Sequence, residues 1–473
     1  MASNTGFQSN HHPSRELEGI AQKIGLRLED RAFALHMDRE DPLCHLRKEF
    51  AFPKMKMLKG VDLSIVDPEE DCVYFCGNSL GLCPKKTKEY MNIEVEKWEQ
   101  TGVQGHTNGD LPWAWCDEVL DGDMAKIVGA KKDEVCLMNG LTVNLHLLLI
   151  SFYRPTPQRY KIMFEGQAFP SDHYAFESQI ILHGYNPNES MVIMQPREGE
   201  DLLRTEDILA KIEEEGNSIA VICFSGVHYY TGQLLEMDRI TKAGQAKGCF
   251  VGWDLAHAVG NAEINLHDWG VDFACWCTYK YLNSGAGGLA GCFLHEKHFY
   301  SDLPHLRGWW GHTMETRFKM DRKWEPYVGA YRYRISNTPG FLCPSLKASL
   351  EIFNKTSIPA LRKKSGLLTA YLEALINRKY GKPRTAGDGD GDNSHVYVNI
   401  LTPTDPNQRG AQLSLSFSID ITQVFAELQK RGVVCDERKP SVIRVAPAPL
   451  YCSFEDVHRF MKYLDEALQA LNK

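Results

Sequence analysis

The sequence predicts an α/β protein: a mostly parallel sheet with helices on both faces, joined to a smaller α+β domain. Three observations carry this. Short β-rich runs alternate with amphipathic segments through the middle of the chain. The pattern changes after about Cys343. And 473 residues are many for one compact core, which makes two cooperating domains the natural expectation.

The strand-like runs are 134–138 (EVCLM), 160–164 (YKIMF), 191–194 (MVIM), 219–224 (IAVICF), 249–254 (CFVGWD), 271–277 (VDFACWC) and 290–294 (AGCFL). Most are continuously apolar, as strands buried on both faces are. Helical periodicity lies between them, for instance SDHYAFESQIIL from Ser171 and RTEDILAKIEEE from Arg204. Beyond Cys343 the order reads helix (345–355, 358–377), strand (395–401), strand (412–418), helix (421–431), strand (442–446), and a last helix from Ser453. The predicted division is 1–72, a segment folding back on the small domain; 73–340, the large domain; and 341–473, the small domain. No internal repeat is visible.

Composition excludes several classes. Hydrophobic residues make up 43% and charged residues 24%, ordinary for a globular protein. The net charge of −8 and the lack of a long basic run argue against nucleic acid and anionic membrane as partners. The apolar stretch 143–153 is too short to span a bilayer and contains Asn144 and His146. The first residues, MASNTGFQSNHHPSRE, read as a polar leader without the apolar core of a secretion signal. Fourteen scattered cysteines in a chain this long point to free thiols in a reducing compartment. Cys72 and Cys76, and Cys275 and Cys277, lack a second pair at metal-site spacing, so no metal is expected. The sequons at Asn188 and Asn354 read as chance matches. The acidic stretch 384–395 resembles a calcium loop, but Asn393 and Asn399 stand where glycine and glutamate belong. It reads as a mobile turn.

In parallel sheets, ligands bind beyond the carboxyl ends of strands. The residues there are Leu141 and Thr142, Phe169 to Asp172, Ser225, Asp254 and His257, and Tyr279 and Lys280. Lys280 closes an apolar strand before a glycine-rich loop. A lysine so desolvated favours the neutral amine, which forms an imine with an aldehyde. Asp254 ends the neighbouring strand, and a buried carboxylate needs a cationic or hydrogen-bonded partner. In pyridoxal phosphate enzymes that partner is the protonated ring nitrogen. Alone, Lys280 is a snorkelling strand-end lysine and Asp254 a helix cap; their pairing, 26 residues apart across one crossover, weakens both bland readings. NGLTVNLHLLL supplies a helix start with Gly140 and Thr142 that suits a phosphate and suits ordinary capping equally. Phe169 suits ring stacking or a core position, and Asp172 suits the ring or a helix cap. GAGGLAG matches a dinucleotide fingerprint at Gly285, Gly287 and Ala290, but a strand comes after it, so a nicotinamide site is rejected. Arg444, in an otherwise apolar strand, suits a carboxylate clamp or a surface position. LRGWWGH, with Arg307, Trp309, Trp310 and His312, suits a pocket wall or a domain junction.

These residues match a known family. The chain resembles the kynureninases, fold-type-I pyridoxal phosphate enzymes of the aminotransferase class V group, from about Phe33 onward. The motifs are YFCGNSLGL (74–82), GLTVNLHLLL (140–149), EGQAFPSDHYA (165–175), FSGVHYYTGQ (224–233), GWDLAHAVGN (252–261), CTYKYLNSGAGG (277–288), GWWGH (308–312), YRISNTP (333–339) and IRVAPAPLYCSF (443–454). Gly140 and Thr338 stand where alanine and proline are common, and neither change removes a reactive group.

The resemblance implies hydrolysis of L-kynurenine and 3-hydroxy-L-kynurenine to anthranilate or 3-hydroxyanthranilate plus alanine, in tryptophan catabolism and NAD biosynthesis. It implies that Lys280 holds pyridoxal 5'-phosphate and moves protons, with Tyr279 as a relay. Asp254 would pair with the ring nitrogen, His257 and Asp172 lie close to the ring, and Phe169 stacks on it. Leu141, Thr142, Ser225 and Tyr279 would line the phosphate region. Trp309 and Asn337 would come from the second subunit of a homodimer. Arg444 would hold the substrate carboxylate, and His106 and Asn337 would face its aromatic ring. A cytoplasmic enzyme is expected. The rivals are another class V chemistry, a cysteine desulfurase or an aminotransferase, and a non-catalytic binder of the cofactor.

Overall fold

A computed structural model of the chain describes residues 12–382 and 396–471. The acidic stretch 384–395 and the polar leader through residue 11 lie outside them. Contacts divide the chain into two compact units. One comprises Pro84–Tyr229 and Leu235–Lys355. The other comprises the described residues up to Cys83, Tyr230–Leu234, and those from Thr356 onward.

The first unit is built on seven strands: β1 (Val135–Leu137), β2 (Lys161–Glu165), β3 (Met191–Met194), β4 (Ile219–Ser225), β5 (Phe250–Asp254), β6 (Phe273–Trp276) and β7 (Gly291–Leu294). Their spatial order is β1-β7-β6-β5-β4-β2-β3. Strands β3, β2, β4, β5 and β6 pair in parallel, and β7 runs antiparallel to both β6 and β1. The parallel members are joined through helices such as Pro170–Leu182, Thr205–Glu215 and Met237–Ala246. Every residue of β1, β6 and β7 is buried, as the unbroken apolar runs require.

Two glycines make room for large aromatics between adjacent strands. Gly252 pairs in register with Phe273, and a Cβ at Gly252 would lie 2.1 Å from that ring. Gly291 pairs with Trp276, where a Cβ would lie 2.3 Å from the indole. The helix Cys343–Phe353 packs against Lys86–Thr101 and belongs to this unit, although the sequence pattern changes at Cys343.

The second unit holds a four-stranded antiparallel sheet: β8 (Val398–Ile400), β9 (Leu413–Phe417), β10 (Asp436–Arg438) and β11 (Val442–Val445), in the order β8-β9-β11-β10. The early chain joins this unit through Val73–Tyr74, which pairs in parallel with Val433–Val434. A buried ion pair, Lys364 Nζ to Asp41 at 2.7 Å, and the Asp38 carboxylate, which accepts from the amides of Phe454 and Glu455 at 2.7 and 3.0 Å, tie the early helices to the later ones. The short strands at 73–74, 433–434 and 436–438 escape sequence reading because two or three residues show no period, and Asp436 to Arg438 are all charged.

Gly252→Ala is expected to cost about 1–3 kcal/mol of unfolding free energy, because the Phe273 ring must move. A urea midpoint that does not shift would count against this packing account.

Candidate active site

The carboxyl ends of β2, β4 and β5 carry Glu165, Ser225 and Asp254, and Ser225 pairs in register with Asp254. Lys280 comes after β6, beyond Cys277, Thr278 and Tyr279. Its loop is held in place locally. The Thr278 hydroxyl lies 2.5 Å from that of Ser284 and donates to the Leu289 carbonyl, and the Asn283 amide donates to the Lys280 carbonyl at 3.0 Å. Gly285 and Gly287 take positive φ, and they lead into strand β7, not a phosphate-binding helix.

These elements border one cleft. Nine predicted residues line it: Leu141, Thr142, Phe169, Asp172, Ser225, Asp254, His257, Tyr279 and Lys280. Lys280 Nζ lies 3.0 Å from His257 Nε2 and 5.9 Å from the Phe169 ring centroid. Phe169 is 46% exposed and leans edge-on against Tyr229 at 5.4 Å. Such a large exposed ring beside a cleft is placed to cover a flat ligand. The helix Leu141–Phe152 points its N-terminus at the cleft, and the Thr142 hydroxyl lies 2.6 Å from that of Ser171. A Cβ at Gly140 would meet no atom within 4 Å, so the surrounding protein tolerates the alanine common at that place.

Three non-glycine residues with positive φ flank these side chains: Asn139 before Leu141, Gln167 before Phe169, and Asn283 after Lys280, each at 53°. Left-handed backbone is costly for such residues and persists where the surroundings enforce it, most often at functional sites.

The electrostatics of the floor are unusual. Asp254, Asp172 and Glu165 are all buried. Burial and the adjacent Asp254 push the Asp172 carboxyl well above the usual range, with Lys280 opposing. Burial pushes Glu165 up to about 7, against the hydrogen bonds it accepts from Ser225. The Asp172 Oδ1 atom is buried without a hydrogen-bond partner. Burial also raises the Tyr279 phenol, which keeps it a proton donor. An amine for an imine, a buried carboxyl pair to face a protonated ring nitrogen, a helix N-terminus for an anion and an exposed ring face match the parts of pyridoxal phosphate.

Other predicted residues lie outside this cleft. Trp309 is 47% exposed, with its indole N–H donating to the Arg317 carbonyl at 3.1 Å. Asn337 buries Oδ1 without a partner. His106 stands edge-on to Trp113 at 5.5 Å. Arg444 belongs to the second unit. It is buried in β11 and forks onto Asp436, with Nη2–Oδ2 at 2.8 Å and Nε–Oδ1 at 3.2 Å.

Among the described residues one group of possible metal ligands gathers: Glu134, His267 and His295. It sits at the N-terminal end of β1, away from the cleft. Its carboxylate already accepts from the amides of Lys131 and Glu296, each at 2.9 Å, and lies 2.9 Å from His267 Nδ1. It is satisfied as a hydrogen-bonded cluster.

Sequence reading gave no role to Glu165 or Tyr229, and passed over Ser171 within the strand-end segment it had marked. Glu165 is itself the last residue of β2, and a signal was available: an acidic residue ends an otherwise apolar run. A rule confined to residues beyond the strand ends passes over it.

Comparison with known proteins gives the family. The kynureninase from Homo sapiens is 56% identical over 458 residues, covering 97% of each chain. That of Nematostella vectensis is 54% identical, covering 98% of this chain and 99% of its own. That of Myxococcus xanthus is 47% identical, covering 92% and 96%. The chain belongs to the kynureninase family. The family's C-terminal domain matches residues 361–464. Among solved structures, the cysteine desulfurase CsdA from Escherichia coli superimposes with a TM-score of 0.69 at 13% identity, over 90% of this chain and 98% of that one. An alanine–glyoxylate aminotransferase from Nostoc sp. does so with a TM-score of 0.59 at 14% identity, over 85% and 97%. The kynureninase chain therefore has the fold-type-I, class V architecture that its motifs imply.

The buried carboxyls yield a pH prediction. Glu165 has a higher pKa folded, about 7, than its ordinary 4.5. The folded state therefore holds more protons in that window, and stability from this group is full below about pH 4.5 and lost as pH rises through about 7. In cofactor-free protein, Glu165→Gln should gain on the order of 2 kcal/mol relative to wild type between about pH 5 and about pH 8. Parallel stability curves in denaturant would contradict this.

Proposed function

We propose that the cleft lined by these residues is the catalytic centre of a kynureninase, with Lys280 at its heart. The protein is a pyridoxal phosphate-dependent hydrolase, cleaving the Cβ–Cγ bond of L-kynurenine and its 3-hydroxy form in tryptophan catabolism and NAD biosynthesis. The observation that carries the site assignment is Asp254 at the end of β5 and Lys280 in the turn after the adjacent β6, lining one cleft with Phe169.

Pyridoxal phosphate, when bound, supplies an aldehyde that captures the substrate amine and a ring that stores the charge left at Cα. The residues do the rest. Asp254 accepts a hydrogen bond from the ring nitrogen and keeps that nitrogen protonated. The Ala256 amide, donating to Asp254 Oδ1 at 2.7 Å, fixes the carboxylate in place. Phe169 covers one ring face and excludes water there. The first amides of the helix Leu141–Phe152, with the Thr142 hydroxyl, hold the phosphate, and Ser225 and Tyr279 contribute to its region. Lys280 Nζ removes the proton at Cα and later returns a proton to the alanine fragment. His257, 3.0 Å from Nζ, orients the amine and limits its motion. Tyr279, kept as phenol, relays a proton to the γ-carbonyl oxygen while water adds to that carbon. Collapse of the resulting diol breaks Cβ–Cγ and releases the aromatic amine. Water supplies the oxygen and the protons, so the equation balances.

Arg444 holds the substrate carboxylate in this proposal, its guanidinium set by the fork onto Asp436. His106 and Asn337 face the substrate's aromatic ring. The unit with the seven-stranded sheet is the cofactor domain, and the unit built from both ends of the chain is the small domain. We assign the active form as a homodimer, with Trp309 and Asn337 reaching the second subunit's site. Exposed Trp309, Phe318, Met320 and Val328 supply an apolar surface that a second copy would cover. A cytoplasmic home suits the fourteen free cysteines. No helix among the described residues is long and apolar enough to cross a membrane.

A desulfurase needs an exposed nucleophilic thiol. The exposed cysteines are Cys44 and Cys83, both in the second unit, while Cys277 beside Lys280 is buried with its thiol pushed up.

Lys280→Ala should lose all measurable turnover and the visible absorption near roughly 420 nm of the loaded protein. Full activity in that variant would end the proposal. A product assay on kynurenine and 3-hydroxykynurenine should find alanine; pyruvate would point to transamination instead. Arg444→Lys keeps the charge but loses the fork, and should raise KM by roughly tenfold or more with a smaller change in kcat.

A further inference from the structure

Glu165 ends β2 directly behind the cleft and does not line it. It is 2% exposed. Its two oxygens accept from the Ser225 amide, at 3.1 and 3.2 Å, and Oε1 also accepts from the Ser225 hydroxyl. Ser225 lines the cleft and stands in register with Asp254 on the next strand. The β2–β4 ladder ends at Met163 and Ile222, so beyond it a side chain takes up the last amide of β4. Hydrogen bonds to a charged acceptor are strong, and two of them clamp one residue from both its backbone and its side chain. Glu165 thus engages both the amide and the hydroxyl of Ser225, a residue that lines the cleft.

Placing an acid here is expensive. A buried carboxyl beside Asp254 and Asp172 raises the cost of every negative charge in the floor. Fold stability alone would be served as well by an amide at that position. What the grip requires at this position is an acceptor oxygen, without which the Ser225 amide and hydroxyl lose their partner.

We propose that Glu165 is a positioning residue of the cofactor site: it fixes Ser225 by gripping both its amide and its hydroxyl, and so prepares the cleft floor beside Asp254 for pyridoxal phosphate. The inference rests on the proposed placement of the cofactor in this cleft.

The test titrates pyridoxal phosphate into cofactor-free full-length protein and reads binding by quenching of intrinsic fluorescence, with circular dichroism to verify folding. Glu165→Ala and Ser225→Ala should each weaken binding by roughly tenfold or more. The double variant should be no more than about twofold weaker than the worse single one, because Glu165→Ala loosens the same hydroxyl that Ser225→Ala removes. Glu165→Gln keeps an acceptor for the amide and the hydroxyl, and should stay within about threefold of wild type. Unchanged binding in Glu165→Ala, fully multiplicative losses in the double variant, or a Glu165→Gln protein as weak as Glu165→Ala would each overturn the proposal. If Glu165→Ala does not fold, Glu165→Asp withdraws the carboxyl by one methylene. It should weaken binding by at least roughly threefold and show the same non-additivity with Ser225→Ala. A wild-type protein that takes up no pyridoxal phosphate would refute the cofactor assignment itself, an outcome distinct from any of these.

Discussion

Too many carboxyls share too little positive charge at the ends of β2, β4 and β5. Glu165, Asp172 and Asp254 are buried together, and Lys280 is the cation set against Asp172. In low dielectric such a group either holds protons or waits for a cation. A protonated ring nitrogen is the cation that would resolve it. The site is therefore unfavourable as a piece of folded protein and favourable as a receptor. Its cost must be met by the packing around it.

That packing is rigid for identifiable reasons. The floor residues sit on buried strands whose register is set by close-fitting pairs, Gly252 with Phe273 and Gly291 with Trp276. A slip of one residue would turn every side chain to the other face. The walls come from segments whose conformation is enforced: left-handed Asn139, Gln167 and Asn283 each lie within three residues of a group that lines the cleft. Lys280 stands four residues past the end of β6, in a turn that the Thr278–Ser284 and Asn283–Lys280 hydrogen bonds hold in place.

Much of this was legible in the chain. All seven strands of the large sheet fall within a residue or two of the apolar runs, because strands buried on both faces leave an unbroken signal. Nine residues of the cleft were found by a topological rule that needs only strand ends. Glu165 ends an apolar run, a mark visible in the chain, but its grip on Ser225 comes from the neighbouring strand and is not visible there. Arg444 shows the same limit. Its place in an apolar strand is visible, but its pairing with Asp436 depends on the register of β10 against β11.

The sequence by itself determined the fold class and the family, and it put forward the candidate reactive groups. Periodicity, strand-end position and motif are properties of residues close together along the chain. Only the tertiary structure decided which carboxyls share a floor, which residue grips Ser225, and to which of the two units the helix Cys343–Phe353 belongs. Those are relations between residues tens to hundreds of positions apart. They are settled by strand order and register, which local patterns do not encode.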